Sequence, residues 1–343
     1  MTRRIFHLVF LIPFLQGTEG FLFFTSGPRL EKYNVDKSGI SVSGISSGAA
    51  MATQIHVIYS KNIMGVGMIA GPPFACSGGN VALSATCMTL PQAVSASALE
   101  LTTESGATVG NIDATSNMAD DKVYIYDGKS DSVVNPGIGR VNQAFYEHFV
   151  HDRNDVKVVL DINSEHCMPT INYGGTCDQP ATPTYLCNCN YSAAFDLLNH
   201  IYGGNLKMPS RQVQANGQLL KFSQSDFFYV STPGMYSMDT TGYIYVPSGC
   251  QDKSTKCRLH VAFHGCAMGQ SKIGEAYVRH GGYNEVGELN NIIILYPQAK
   301  ASTVPFNVAG CWDWWGYTGA LFATNSGFQP TAIKRMIDRV AGL

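Results

Sequence analysis

Gly44-Ile45-Ser46-Ser47-Gly48 sets a serine between two glycines, each two residues away. That spacing suits a turn too sharp for side chains at the flanking positions. Such a turn lifts the serine hydroxyl clear of a strand and seats it at a helix N-terminus. The surrounding residues agree: 35–43 alternates weakly in polarity and predicts a strand ending at Gly44, and 49–59 predicts a helix. Ser46 is therefore the candidate nucleophile, and the N–H of Ser47 the candidate donor to a developing oxyanion. The pattern is short, and an ordinary Ser/Gly loop would also satisfy it.

A serine hydroxyl needs a base, and the base needs an orienting carboxylate. Residues 156–162 predict a strand that leads into Asn163-Ser164-Glu165-His166-Cys167. His166 thus falls in a loop just past a strand end, where the functional groups of open parallel sheets gather. The strand predicted over 123–126 runs into Asp127-Gly128-Lys129-Ser130-Asp131. Asp127-Gly128 has the composition of a tight turn. Asp131 stands farther into the loop, with room to reach an imidazole, so Asp131 is the first choice of acid and Asp127 the alternative. Finally, Phe263-His264-Gly265-Cys266 follows a strand predicted over 259–263. Its His-Gly pair matches loops that supply a second oxyanion donor, here the N–H of Cys266, although a simple strand-terminating turn would look the same.

Ser, Asp, His is the chain order of the α/β hydrolases. In that fold the His-Gly segment precedes the elbow, whereas here it comes about a hundred residues after His166. The elbow also starts too near the N-terminus for several strands to precede it. A circularly permuted sheet reconciles both facts, with the usual first strands moved to the end of the chain. Further strands are predicted at 65–70 and 292–296, antiparallel strands in the aromatic, turn-rich 222–246, and helices at 141–149, 192–202, near 271–290 and at 332–340. Strands alternating with helices predict an α/β fold, with a mostly parallel central sheet covered on both faces. No linker or repeat interrupts the chain, so residues 26–343 are expected to form one catalytic domain. Residues 1–25, with Arg3, Arg4 and an apolar run over 5–15, read as a secretory signal peptide. The run is shorter than a membrane span requires.

Composition narrows the partners. Charged residues make up 14% of the chain, net charge is -2 and no basic block occurs, which speaks against a nucleic-acid surface. Ten cysteines after a signal peptide predict five disulfides and a secreted, extracellular protein. Cys76 with Cys87, Cys250 with Cys257 and Cys266 with Cys311 are the economical pairs; the other four allow three connectivities. Cys187-Asn188-Cys189 has no second pair or His cluster at zinc spacing, so neither a metal nor a cofactor is expected. Asn190-Tyr191-Ser192 is the one glycosylation sequon.

Taken together, the elbow, Gly71-Pro72-Pro73, the Asp131 loop, His166-Cys167-Met168-Pro169-Thr170, Asn188-Cys189-Asn190-Tyr191, Phe263-His264-Gly265-Cys266 and Gly310-Cys311-Trp312-Asp313-Trp314-Trp315 resemble the extracellular poly(3-hydroxybutyrate) depolymerases, in the order of the fungal type. The resemblance covers about residues 35–340. It implies a single-domain, circularly permuted α/β hydrolase with Ser46, Asp131 and His166 as triad and the N–H groups of Ser47 and Cys266 as oxyanion hole. It also implies a tryptophan-lined crevice, Trp312 foremost, for one strand of a short-chain polyhydroxyalkanoate. A monomer is expected, with any polymer adsorption through exposed apolar residues of the catalytic domain. A feruloyl, acetylxylan or general short-chain carboxylesterase on the same machinery is the alternative.

Overall fold

The computed structural model describes residues 27–343 apart from residue 212; the expected signal segment 1–25 lies outside them. Eleven strands are formed among the described residues: β1 (Val35–Ile45), β2 (Gly65–Ile69), β3 (Lys122–Tyr126), β4 (Val156–Val159), β5 (Met168–Thr170), β6 (Gly175–Thr176), β7 (Leu186–Asn188), β8 (Gln218–Ser223), β9 (Thr241–Val246), β10 (Cys257–Phe263) and β11 (Ile292–Tyr296). Eight of them make the central sheet, in the order β4-β3-β2-β1-β10-β11-β9-β8; β5, β7 and β6 form a small separate sheet. From β4 to β11 every neighbouring pair is parallel, and β9 runs antiparallel to both β11 and β8.

This order is a permuted α/β-hydrolase sheet. If strands are counted from β8 to β11 and then from β1 to β4, the spatial order reads 1-2-4-3-5-6-7-8, with the elbow after the fifth. The antiparallel strand is the second. The sheet itself is unchanged by moving the chain ends, because the pairing of neighbours decides its energy.

The helices are α1 (Ser47–Ile58), α2 (Val81–Thr89), α3 (Ala96–Thr108), α4 (Gly137–Phe149), α5 (Ala193–Ile201), α6 (Gln270–Ile273), α7 (Ala276–His280), α8 (Tyr283–Asn290) and α9 (Phe328–Ala341). Side chains of a strand alternate between faces, and two cores result. Val123 and Ile125 of β3 pack with Ile55 and Ile58 of α1, Phe145 of α4 and Ile337 of α9. Tyr124 and Tyr126 face the other way, into the core of α5 and α8 with Leu197, Leu198 and Val286. α1 is buried at every position, and its polar side chains Thr53, Gln54 and His56 hydrogen-bond to Ala49 O, Asp313 O and Asp121 in turn.

Helices α2 and α3 were not anticipated from periodicity, and their burial explains why. Cys87 is the one buried residue of α2, and Leu99 and Thr103 those of α3. Neither helix carries an apolar stripe; side-chain caps from Asn80 and Ser95 help start them. The helical stretch near 271–290 is in fact three short helices, broken at Gly274 and at Gly281-Gly282. All ten cysteines pair, with Cys76–Cys87, Cys250–Cys257 and Cys266–Cys311 as expected. The open choice resolves as Cys167–Cys187 and Cys177–Cys189. Sulfurs held in disulfides are not thiolate ligands, which disposes of a metal at Cys167, Cys187 and Cys189.

Candidate active site

Ser46 is the pivot between β1 and α1, at φ 57° and ψ -124°. A non-glycine residue so far from the ordinary wells is strained, and such strain persists where surrounding structure over-determines it. The surroundings here are close-packed backbone. A Cβ on Gly48 would be driven into the carbonyls of Phe263 and His264, and one on Gly44 into the Gly48 backbone. The glycines let α1 start hard against β10, and the elbow hydroxyl is held at the carboxyl edge of the sheet.

Register brings the other groups to that edge. Gly44 pairs with Phe263, Ile45 with Ile69, Ile69 with Tyr126, and Tyr126 with Val159. The loops carrying Asp131 and His166 therefore leave the sheet side by side. They continue the β3–β4 pairing through Asp127 N–H to Val159 O, Lys129 N–H to Ile162 O and Ser130 N–H to Ser164 O. At their tips, Asp131 Oδ2 meets His166 Nδ1 at 2.8 Å. The other oxygen, Oδ1, accepts the N–H groups of Val133 and Val134 at 2.8 and 2.7 Å. Both residues are 8% exposed, so the pair is dry on the acid side. His166 Nε2 and Ser46 Oγ make no hydrogen bond among the described residues, with each other or elsewhere. Catalytic contacts of this kind commonly close only around substrate.

Asp127, the alternative acid, faces elsewhere. It is fully buried, a Cβ on Gly139 would meet its carboxyl, and neither oxygen has a side-chain partner. Burial first, then the neighbouring charge of Asp131, pushes its pKa well above the usual carboxylate value. Asp127 continues the β3–β4 pairing through its N–H, and the turn lies one step on, at Lys129-Ser130, closed by Asp131 N–H to Gly128 O.

The segment expected to supply an oxyanion donor, Gly265-Cys266, lies against the elbow. A Cβ on Gly265 would lie 3.3 Å from Ser46 Cβ, which puts this loop in contact with the elbow. Among the described residues the backbone N–H groups of Ser47 and Cys266 have no protein acceptor. His264 explains how the loop keeps this shape. Its Nε2 accepts from Ala299 N–H at 3.1 Å, so the proton sits on Nδ1, which donates to Gly265 O at 2.8 Å. In a trans peptide the C=O and N–H point oppositely. Pinning the Gly265 carbonyl therefore turns the Cys266 N–H outward. Burial lowers the His264 pKa to about 4, which keeps this neutral tautomer.

The expected substrate contact by Trp312 is corrected. Its side chain is fully buried. The indole N–H donates to His264 O at 3.0 Å, the ring packs edge-on against Phe263, and the backbone N–H donates to Ser47 Oγ at 3.3 Å. Trp312 thus ties Ser47 to His264 from beneath, next to the Cys266–Cys311 disulfide. Trp314 is buried as well, while Trp315 is half-buried and keeps an open edge. Sequence reasoning also missed Asp313, whose carboxylate gathers the N–H groups of Trp315, Gly316, Tyr317 and Thr318 and so shapes the loop behind the tryptophans.

Known proteins are similar to this chain in sequence and fold. A polyhydroxybutyrate depolymerase of Talaromyces funiculosus is 34% identical over 325 residues, 91% of this chain and 92% of that protein. The chain belongs to the polyhydroxybutyrate depolymerase family. A poly(3-hydroxybutyrate) depolymerase of Delftia acidovorans is 40% identical over 317 residues; the chain spans 91% of its own length there and 62% of that bacterial relative. Among solved structures, a PHB depolymerase complexed with an R3HB trimer matches at TM-score 0.84 with 33% identity, covering 92% of this chain and 99% of that one. The crystal structure of PHB depolymerase from Penicillium funiculosum matches at TM-score 0.83 with the same identity and coverage. No protein-family model matches.

Proposed function

We propose that this chain hydrolyses ester bonds of poly(3-hydroxybutyrate) and related short-chain polyhydroxyalkanoates through an acyl-enzyme on Ser46. The observation that carries the reading is the buried Asp131–His166 hydrogen bond, set at the sheet edge that also presents the strained elbow serine. In the cycle, His166 Nε2 takes the Ser46 proton as Oγ attacks the ester carbonyl. Asp131 keeps the proton on Nδ1 and stabilises the imidazolium. The N–H groups of Ser47 and Cys266 receive the oxyanion, each such donor being worth roughly 10²–10³ in rate. His166 then gives its proton to the departing 3-hydroxyl end. Water, deprotonated by the same imidazole, attacks the acyl-enzyme and frees the carboxylic end.

Polymer contact is assigned to apolar residues around this edge. Val304, Phe306 and Val308 are exposed on the loop that leads to Cys311, and Leu321 is exposed beyond Trp315. Secretion is part of the proposal. Five disulfides support it, as does the N-terminal sequence 1–25 as a removable signal. Among the described residues no helix is long and apolar enough to cross a membrane.

The test is turnover of polyhydroxybutyrate film, p-nitrophenyl butyrate and a feruloyl ester by the wild type and by Ser46→Ala. The wild type is expected to clear the film and hydrolyse the butyrate. Ser46→Ala should be folded, inactive on both and unlabelled by a fluorophosphonate. A wild type that hydrolyses the feruloyl ester and leaves the film intact refutes the polymer assignment; an active Ser46→Ala refutes the nucleophile.

A further inference from the structure

A second carboxylate stands beside the triad and belongs to none of its steps. Glu165 precedes His166 and is 7% exposed. Its Oε2 accepts two backbone N–H groups at once, that of Ser132 at 2.8 Å and that of His166 at 2.7 Å. Its Oε1 accepts from the Ser132 hydroxyl in a short hydrogen bond. Ser132 directly follows Asp131, so one carboxylate holds the residue after the acid and the backbone of the base. Burial works to raise the Glu165 pKa, but the hydrogen bonds from Ser132 and His166 outweigh it and hold the carboxyl below its usual value. It is ionised at neutral pH, and charge-assisted hydrogen bonds of this kind are about twice as strong as neutral ones.

We propose that Glu165 is a positioning residue, a strap that fixes the Asp131 loop against the His166 loop and so sets the aim of the imidazole at Ser46. The proposal rests on the triad reading above. Its physical content is reach. The backbone bonds between the two loops stop at Ser130 and Ser164, one residue short of Asp131 and two short of His166. Beyond that point the triad contact is joined across the gap by Glu165 and by the Asp131–His166 bond itself. A displacement of about 1 Å in a catalytic group can cost on the order of 10² in rate. A strap at this position therefore governs kcat, while the oxyanion hole and the polymer-facing residues, which lie on other loops, leave KM alone.

Three variants separate reach from charge. Glu165→Gln keeps the shape: its amide oxygen can accept both N–H groups, and its NH2 can donate to the Ser132 hydroxyl with roles reversed. Glu165→Asp keeps the charge but is one methylene too short to hold both loops. Glu165→Ala loses both. With p-nitrophenyl butyrate, Glu165→Ala and Glu165→Asp should lose roughly tenfold to hundredfold in kcat with KM within about twofold of wild type, and fluorophosphonate labelling should slow in parallel. Glu165→Gln should retain kcat within about threefold. If Glu165→Ala does not fold, the Asp and Gln variants still decide. Wild-type kcat in Glu165→Asp, or a fall in Glu165→Gln as deep as that in Glu165→Asp, overturns the strap. Ser46→Ala and His166→Ala run alongside: activity in these would sink the triad reading, whereas Glu165 results bear on the strap alone.

Discussion

Two aspartates four residues apart, Asp127 and Asp131, end up in opposite surroundings. Asp131 has two backbone N–H groups on one oxygen and an imidazole on the other. Asp127 has a carboxyl buried against Gly139 of α4 with no hydrogen-bond partner on either oxygen, and burial pushes its pKa up. The two therefore respond differently to the same substitution. Asp131→Asn should lower kcat by about 10⁴, because an amide at Oδ2 forces the wrong imidazole tautomer, as measured in a serine protease triad. Asp127→Asn, a near-isosteric change at a carboxyl that no step of the proposed reaction uses, should keep kcat within about tenfold. Steady-state turnover of p-nitrophenyl butyrate by both variants checks the assignment, and an equal loss in the two would contradict it. Trp312 makes the same point about context: a tryptophan in a family motif serves here as a buried brace, its one donor already committed to His264 O.

At the scale of elements, the proposed oxyanion hole depends on two loops that meet by disulfide and by contact. The Cys266–Cys311 bridge closes 45 residues, and Trp312 is the next residue along. Replacing both cysteines by alanine should lower stability by roughly 2–4 kcal/mol, read as a drop in the denaturant midpoint. It should also lower kcat, because the Cys266 N–H loses a tether. The elbow is less forgiving. Gly48→Ala has no conformation in which its methyl avoids the Phe263 and His264 carbonyls. Separation of α1 from β10 is the only relief, and the expected outcome is a poor yield of folded protein or a melting temperature lowered by several degrees. A variant with wild-type melting would show that the contact can relax.

For the molecule as a whole, loss of stability in acid follows from histidines buried without charge. His260 projects from β10, bonded to Ser41 and Ser43 of β1 and stacked on Tyr283 of α8, and burial drives its pKa to about 3; His264 falls to about 4 for the same reason. In the unfolded chain both titrate near 6.5. Between those values the unfolded state binds more protons, so stability rises with pH there. Their contribution is complete above about 6.5 and is lost as pH falls toward 4 for His264 and 3 for His260. Asp127 acts with the opposite sign, because its raised pKa favours folding most below its usual value. The clean measurement is therefore a difference: His260→Asn should show a shallower decline of melting temperature between pH 6.5 and 4 than the wild type. Parallel curves would mean that His260 does not titrate on unfolding in this window.

How much of this was legible in the chain differs by kind of interaction. Strands such as Ile292–Tyr296 and the elbow with its flanking strand and helix are encoded locally, in apolar runs, alternation and glycines two residues from a serine. The permuted order was legible too, because it needs only the order of motifs along the chain. Helices α2 and α3 were not, since their stability comes from caps and neighbours rather than an apolar stripe. The disulfides of the second sheet, the inward turn of Trp312 and the clasp of Glu165 on Ser132 were likewise hidden. Each depends on which distant backbone groups and surfaces converge. Sequence by itself determined the chemical groups and the order in which the fold delivers them. Tertiary structure decided which of them face each other and which are buried, because burial and hydrogen-bond partners are properties of the assembled surfaces and not of any one segment.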